Sequence, residues 1–234
     1  MPSISFSART MFLVFAGISA FLIVMHLLVF AEVVYGGHGQ LLGMVDRFDL
    51  DQEDNIPTWF STMILATASV YAWVIAQVKT RKKDRYARHW KVMAGILMYL
   101  SLDEGASIHE TFNLWAPRIF GGGIDLGFVI LRGWVDVGLV AVAVVALYFA
   151  RFVTDLPRRT CALLMASAFV YVFGAAVVES MQYTTFDFTP SGYAWHVSVA
   201  AEEGMEMLGA CLAIYALADY AAEETVEVKV SFVP

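Results

Sequence analysis

The sequence predicts an all-α protein, a polytopic membrane bundle of six transmembrane helices that forms one domain over residues 1–234. Composition is the first reason, because 59% of the 234 residues are hydrophobic, only 16% are charged and the mean hydropathy is +0.64. Soluble domains carry about 25% charged residues, and a soluble core of this size cannot bury so much apolar surface. The apolar runs also lack the two-residue alternation of membrane β-strands. We therefore expect the surplus apolar surface to face lipid.

Six apolar segments are long enough to cross a bilayer as helices. A hydrocarbon core about 30 Å thick requires roughly 20 helical residues. The predicted spans cover residues 10–34, 57–79, 89–112, 126–151, 158–183 and 193–220. The connections between them are short, so consecutive spans are expected to be antiparallel neighbours.

Lysine and arginine concentrate on one side of this arrangement. The connections 79–91 and 151–159, together with Arg9 and Lys229, contain 12 of the 15 basic residues. Basic residues favour the cytoplasmic side of a membrane, so both termini are predicted to be cytoplasmic in a multi-pass protein of the inner (plasma) membrane. The basic stretch 79–91 is interpreted as a contact with anionic lipid rather than with nucleic acid.

Carboxylates concentrate on the opposite side, and several of them lie inside predicted spans. Sixteen of the 22 acidic residues fall in outer connections or in the outer halves of spans. At ~1.5 Å per residue, Glu104, Glu179 and Glu203 lie roughly 5–15 Å below the outer surface, each on a different helix. An ionised carboxylate in hydrocarbon is costly. These groups therefore need protons, cationic partners or a metal ion.

Protein cations are scarce at this depth, which favours a metal. Arg132 is the one basic residue that the prediction places in an outer half-span, and Asp136 is its expected partner. Carboxylates and histidines on facing helices form the di-iron and di-manganese sites of helical bundles. The predicted ligands are Asp103, Glu104, Glu110, Glu179, His196, Glu203 and Glu206, with His109, Glu32 and Glu202 as secondary candidates. On an ideal helix His109 points away from the face of Asp103 and Glu110, and it joins them only if the helix end bends.

The predominance of carboxylates favours iron or manganese over zinc. If the protein is an enzyme, a metal-bound water or oxygen species acting on a lipid-soluble substrate is the expected chemistry. Two other functions stay open: a transport subunit that uses the same acids as a proton or cation relay, and a structural or accessory subunit of a membrane complex or homo-oligomer. Haem bound between His26 and His196 is disfavoured.

Two motifs resemble those of a group of small bacterial multi-pass membrane proteins of uncharacterised function. The first is LSLDE at 100–104, followed by HE at 109–110, and the second is EExxEMxG at 202–209. The resemblance runs from Asn55 to the last span and implies a membrane location without implying an activity.

A more remote similarity is to membrane metal hydrolases of the alkaline ceramidase type. Those proteins hold zinc inside a helical bundle with a serine, an aspartate and histidines. Ser101 and Asp103 are similar to the first two of these residues. The paired His-x-x-x-His of that family is absent from this sequence.

Overall fold

A computed structural model describes residues 7–121, 123–127, 129–131, 133–184 and 192–224 of the chain. These residues are mostly helical. The helices are α1 (Ala8–Gly36), α2 (Met44–Phe48), α3 (Ile56–Arg81), α4 (Ala87–Ala106), α5 (Ala116–Phe120), α6 (Trp134–Thr154), α7 (Arg158–Val172), α8 (Glu179–Thr184) and α9 (Tyr193–Glu223). Short 3₁₀ helices cover Leu41–Gly43 and His109–Leu114, and a π-helical turn, Phe173–Val178, joins α7 to α8.

Five helical segments of the described chain are long and apolar enough to cross a membrane. They are Ala8–Gly36, Ile56–Arg81, Trp134–Thr154, Arg158–Gln182 and Tyr193–Glu223. The prediction of a helical membrane bundle is therefore confirmed at this level. The predicted third span corresponds to α4, which is less apolar because charged residues lie near both of its ends.

Two predicted span boundaries were wrong, each by several residues. The third span was expected to reach residue 112, but α4 ends at Ala106 because Ser107 adopts a left-handed conformation with φ 45°. The fourth span was expected to begin at residue 126, but α6 begins at Trp134. Part of the preceding segment forms an antiparallel hairpin, in which strand β1 (Ile124–Asp125) pairs with β2 (Ile130–Leu131). Hydropathy counts apolar residues and does not detect such turns.

Side-chain caps fix the starts of two spans. The Ser7 side chain accepts the Thr10 N–H at the start of α1. The Asn55 side chain accepts the Thr58 N–H at the start of α3, where Pro57 occupies the first turn. Proline is favourable there, since its missing N–H would have no helical partner.

Helix α9 lies at the centre of the bundle. It packs against α1, α3, α7 and the π-helical turn, and Cys211, Ile214 and Leu217 on it are fully buried. Helix α4 packs along α3, where the Ser101 hydroxyl donates to the Thr62 carbonyl at 2.8 Å. Any carboxylate on the inner face of α9 therefore faces the protein interior from several sides.

Candidate functional site

Five glutamates on three parts of the bundle form the main candidate site, which we call the glutamate cluster: Glu104, Glu179, Glu202, Glu203 and Glu206. The charge of Glu203 interacts with those of Glu104, Glu206 and Glu202. The charge of Glu206 interacts with those of Glu104, Glu202 and Glu179. Residues four apart on a helix share a face, so α9 presents Glu202 and Glu206 together.

Glu104 and Glu206 line one small cavity between α3, α4, α7 and α9. Tyr171 and Ser61 also line this narrow cavity. The Ser61 side chain lies beside Glu104, and the Tyr171 side chain lies beside Glu206. Two carboxylates from different helices thus approach each other with a hydroxyl group beside each one.

Glu179 and Glu202 are held by neutral donors at the edge of the cluster. The Trp134 indole N–H donates to Glu179 Oε1 at 3.0 Å. The Gln182 amide donates to Glu202 Oε2 at 2.6 Å, and Gln182 is buried. Both donors fix a carboxylate without neutralising its charge.

Close contact between α7 and α9 depends on two glycines. A Cβ atom at Gly209 would lie 2.7 Å from Tyr171 Cβ and 2.9 Å from Tyr171 N. One at Gly174, in the π-helical turn, would lie 3.0 Å from the Glu202 carbonyl oxygen. The Ser167 hydroxyl also donates to the Gly209 carbonyl at 2.7 Å. These contacts place Tyr171 against Glu206.

The end of α4 brings His109 back toward the bundle. Asp103 Oδ1 accepts the His109 backbone N–H at 2.8 Å, and Asp103 Oδ2 lies 3.1 Å from His109 Nδ1. The His109 ring packs edge-on against Trp134, the donor to Glu179, at 4.9 Å between centroids. Burial alone would lower the pKa of His109, but the hydrogen bond and charge of Asp103 raise it above its usual value.

The remaining predicted ligands lie at the margins of the cluster or away from it. Glu110 is exposed, and its charge still interacts with that of Glu179. Glu32 is exposed at the end of α1, with Oε2 3.4 Å from His38 Nδ1. His196 is buried near the start of α9 and stacks on Phe30 with ring centroids 3.6 Å apart. Arg132, the predicted partner of Asp136, lies outside the described residues.

The loop between α2 and α3 adds acids at the outer edge of the cluster. The Trp195 indole N–H donates to Asp51 Oδ2 at 3.2 Å, and the charge of Asp51 interacts with that of Glu203. Burial raises the pKa of Asp51, and it raises that of Asp49 to about 6. Carboxylates of this loop thus extend the acidic region outward from the membrane.

Sequence reasoning missed the neutral partners of the cluster. Tyr171, Gln182 and Trp134 lie in or beside apolar runs, where each is indistinguishable from an ordinary core or interfacial residue. The polar ends of buried tyrosine and tryptophan usually find a hydrogen-bond partner. That tendency is the one sequence signal that points to them.

The fold and the site together define a polytopic helical membrane protein that groups glutamates from several helices. The chain belongs to the family whose model matches residues 10–220 and is described as a domain of unknown function, DUF8692. Searches of curated proteins and of solved structures found no match.

Proposed function

We propose that this protein binds a divalent metal ion, iron or manganese rather than zinc, in the glutamate cluster. The observation that carries the proposal is the environment of Glu203 and Glu206, whose strongest charge interactions are with other carboxylates. Carboxylate oxygens are the ligands of hard divalent ions. A cation at their centre converts mutual repulsion into attraction.

The cluster divides naturally into ligands and supports. Glu104 and Glu206 line the small cavity from different helices, and the charge of Glu203 interacts with both; these three are the proposed central ligands. Glu179 and Glu202 are oriented by Trp134 and Gln182, as carboxylates near metals commonly are by hydrogen-bond partners. Asp103, Glu110 and His109 form the outward rim of the site. His196 belongs to a different group of residues, which is described below.

A metal at this depth suits chemistry on a lipid-soluble molecule. Metal ions lower the pKa of bound water and polarise bound oxygen atoms. The site lies between membrane-spanning helices, and we therefore propose a substrate that is dissolved in the membrane. We propose that any enzymatic activity is of this metal-dependent kind.

The experiment is metal analysis of gently purified full-length protein together with the Glu203→Gln variant. This change removes one charge and keeps the size of the side chain. We expect iron or manganese in the wild type and less of it in the variant. Glu32→Gln is the matched control, because Glu32 is exposed and lies beside His38. Manganese that persists in Glu203→Gln would refute the ligand assignment, and the absence of both iron and manganese from the wild type would refute the proposal.

A proton relay is the second candidate function. It is favoured by the series of polar groups that runs from Glu206 through Glu202 and Glu179 toward His109. If the acids carry protons, Glu203→Gln leaves the protein as stable or more stable, since the uncharged amide resists burial less. A chelator then has no effect, and proteoliposomes carrying the wild type dissipate a pH gradient faster than those carrying the variant.

We also propose that α4 completes a set of six spans with both termini in the cytoplasm of a cell whose inner membrane holds the protein. The distribution of basic residues supports this orientation. A reporter fused to the C-terminus should be cytoplasmic, and one inserted between α5 and β1 should be external. Three crossings separate the two reporters in the six-span arrangement, so they should lie on opposite sides of the membrane. Two reporters on the same side would refute this arrangement.

A further inference from the structure

A second group of metal-ligating side chains lies between α1, the loop after α2 and the start of α9, apart from the glutamate cluster. We propose that His26, Asp49 and His196 form a site for a Zn²⁺-type transition-metal ion. One ligand atom from each of the three residues lies within 4.8 Å of the others. They come from α1, from the loop after α2 and from α9, so one ion would tie three elements together.

The His196 ring gives an independent indication of a missing ligand. His196 is 7% exposed, and its Nδ1 atom is fully buried. Among the described residues, none provides a hydrogen-bond partner for that atom. A buried polar atom without a partner is destabilising, and native structures rarely contain one without a reason. A metal ion bound through Nδ1 would give this atom a partner.

The hydrogen bonds of His26 prepare it for the same ion. His26 Nε2 lies 3.2 Å from the His196 carbonyl oxygen and donates to it, which leaves the lone pair on Nδ1. Nδ1 lies 3.7 Å from Asp49 Oδ1. A ligating histidine commonly donates its other N–H to a carbonyl, because that bond fixes the tautomer and the ring direction. Without metal, Nδ1 accepts the Leu50 N–H at 3.0 Å, and the ion would replace this bond.

The ligand types separate this site from the glutamate cluster. Two imidazoles and one carboxylate resemble in kind the three protein ligands of catalytic zinc sites, where water takes the fourth position. Imidazole suits zinc, copper, nickel and iron, whereas carboxylate-only sites suit manganese and magnesium. The site therefore prefers Zn²⁺ and Co²⁺ to Mn²⁺.

A competing interpretation needs no metal. A doubly protonated His26 would donate from Nε2 to the His196 carbonyl and from Nδ1 to the Phe48 carbonyl, which lies 3.2 Å away. The Asp49 carboxylate would then neutralise it as an ion pair. This arrangement leaves Nδ1 of His196 still without a partner, which is why we favour the metal site.

The test is titration of chelator-stripped, full-length protein in detergent with Co²⁺, followed by visible absorption. With Mn²⁺ in excess to occupy the glutamate cluster, we expect one bound Co²⁺ that Zn²⁺ displaces. Asp49→Asn and His196→Gln should each weaken Co²⁺ binding by at least about tenfold. Glu32→Gln is the control that leaves it unchanged.

Asp49→Asn protects the test against misfolding, because Asp49 lies in a loop and the change preserves its size. Unchanged Co²⁺ affinity in folded Asp49→Asn and His196→Gln would overturn the proposal, as would wild-type protein that binds no Co²⁺. Glu203→Gln separates this failure from failure of the glutamate cluster. Metal lost only in Glu203→Gln belongs to the cluster, and metal lost only in Asp49→Asn belongs to the His26 site.

Discussion

Carboxylates have opposite kinds of partner at the two ends of the bundle. At the basic end, which comprises the connections 79–91 and 151–159 and the helix ends beside them, acids meet cations. Lys79 Nζ lies 3.0 Å from Glu224 Oε1, and Arg85 lies 2.7 Å from Asp155 Oδ2. At the acidic end, the glutamates of the cluster meet one another and neutral donors. Paired charges stabilise a fold, whereas grouped like charges oppose it unless something binds them.

This difference separates an end that ordinary ion pairing explains from one that it does not. Isolated surface ion pairs contribute about 0–1 kcal/mol each, so the basic end can be explained by topology and modest stabilisation. A group of carboxylates inside a bundle requires protons or a bound cation instead. The predictions below test the contrast between the two ends, starting with the largest expected effect.

Metal binding should stabilise the protein through the acidic end alone. Manganese or ferrous ion at about 100 times its Kd should raise the free energy of unfolding by about 2.7 kcal/mol in the wild type. Glu206→Gln should lose most of this gain, whereas Glu224→Gln at the basic end should keep it. Thermal unfolding with metal and with chelator measures both. Equal gains in the two variants would erase the proposed contrast.

Packing around the acidic end should be intolerant of a single methyl group. Gly209→Ala places a Cβ atom 2.7 Å from Tyr171 Cβ and 2.9 Å from its backbone nitrogen. Because a backbone must shift, we expect a loss of about 1–3 kcal/mol and weaker metal binding as Tyr171 moves from Glu206. Gly17→Ala is the matched control: its Cβ meets nothing within 4 Å, so it should be neutral or stabilising by up to about 1 kcal/mol. Equal effects of the two changes on unfolding would refute the packing argument.

In metal-free protein, removing one charge should change the free energy of unfolding in opposite directions at the two ends. Lys79→Met leaves Glu224 and Asp84 without their nearly buried partner and should cost about 1–3 kcal/mol, between the values for exposed and buried pairs. Glu203→Gln should raise stability, because it removes repulsion from Glu104 and Glu206. Both are measured by unfolding in chelator. A loss of stability in Glu203→Gln without metal would mean that its charge is already compensated.

The smallest expected effect is a loss of stability at low pH that arises at the end of the bundle rich in lysine and arginine. Burial opposes ionisation of Glu224, but hydrogen bonds and charges from Lys79 and Lys82 hold its pKa below the usual 4.5. A lowered folded-state pKa contributes stability above the unfolded pKa, and this contribution is lost as the pH falls through the folded pKa. The wild type should therefore exceed Glu224→Gln in stability at neutral pH, and the difference should shrink as the pH falls below 4.5 and vanish once the pH is below the folded-state pKa. A difference that persists there would assign the effect to packing.

Much of the helical framework was predictable because hydropathy measures what a bilayer selects. The spans that became α1, α3, α9 and the α7–α8 segment were located to within a few residues. The errors arose at Ser107 and before Trp134, where local backbone conformation ends or delays a helix. No sum over apolar residues contains that information.

The candidate site was predictable as a layer but not as a set of contacts. Helical rise along each span predicts Glu104, Glu179 and Glu203 at similar depth, and in the structure the charge of Glu203 interacts with that of Glu104. The directions in which the side chains point were harder to predict. His109 reaches Asp103 because α4 stops early, and His196 faces His26 rather than the glutamates. Extrapolating an ideal helix through its end gives the wrong direction for residues beyond it.

The π-helical turn before Glu179 sets the direction of that carboxylate by how many residues the turn contains, whatever their types. A π turn holds more residues than an α turn, so everything after it is rotated by about 100° per extra residue relative to a continuous α-helix. Deleting one alanine from Phe173–Val178 would hardly change the hydrophobicity of the span. It would nevertheless swing Glu179 away from the Trp134 indole. A one-codon deletion at this point can thus disconnect the carboxylate while the helix, its length in the membrane and its neighbours remain almost as they were.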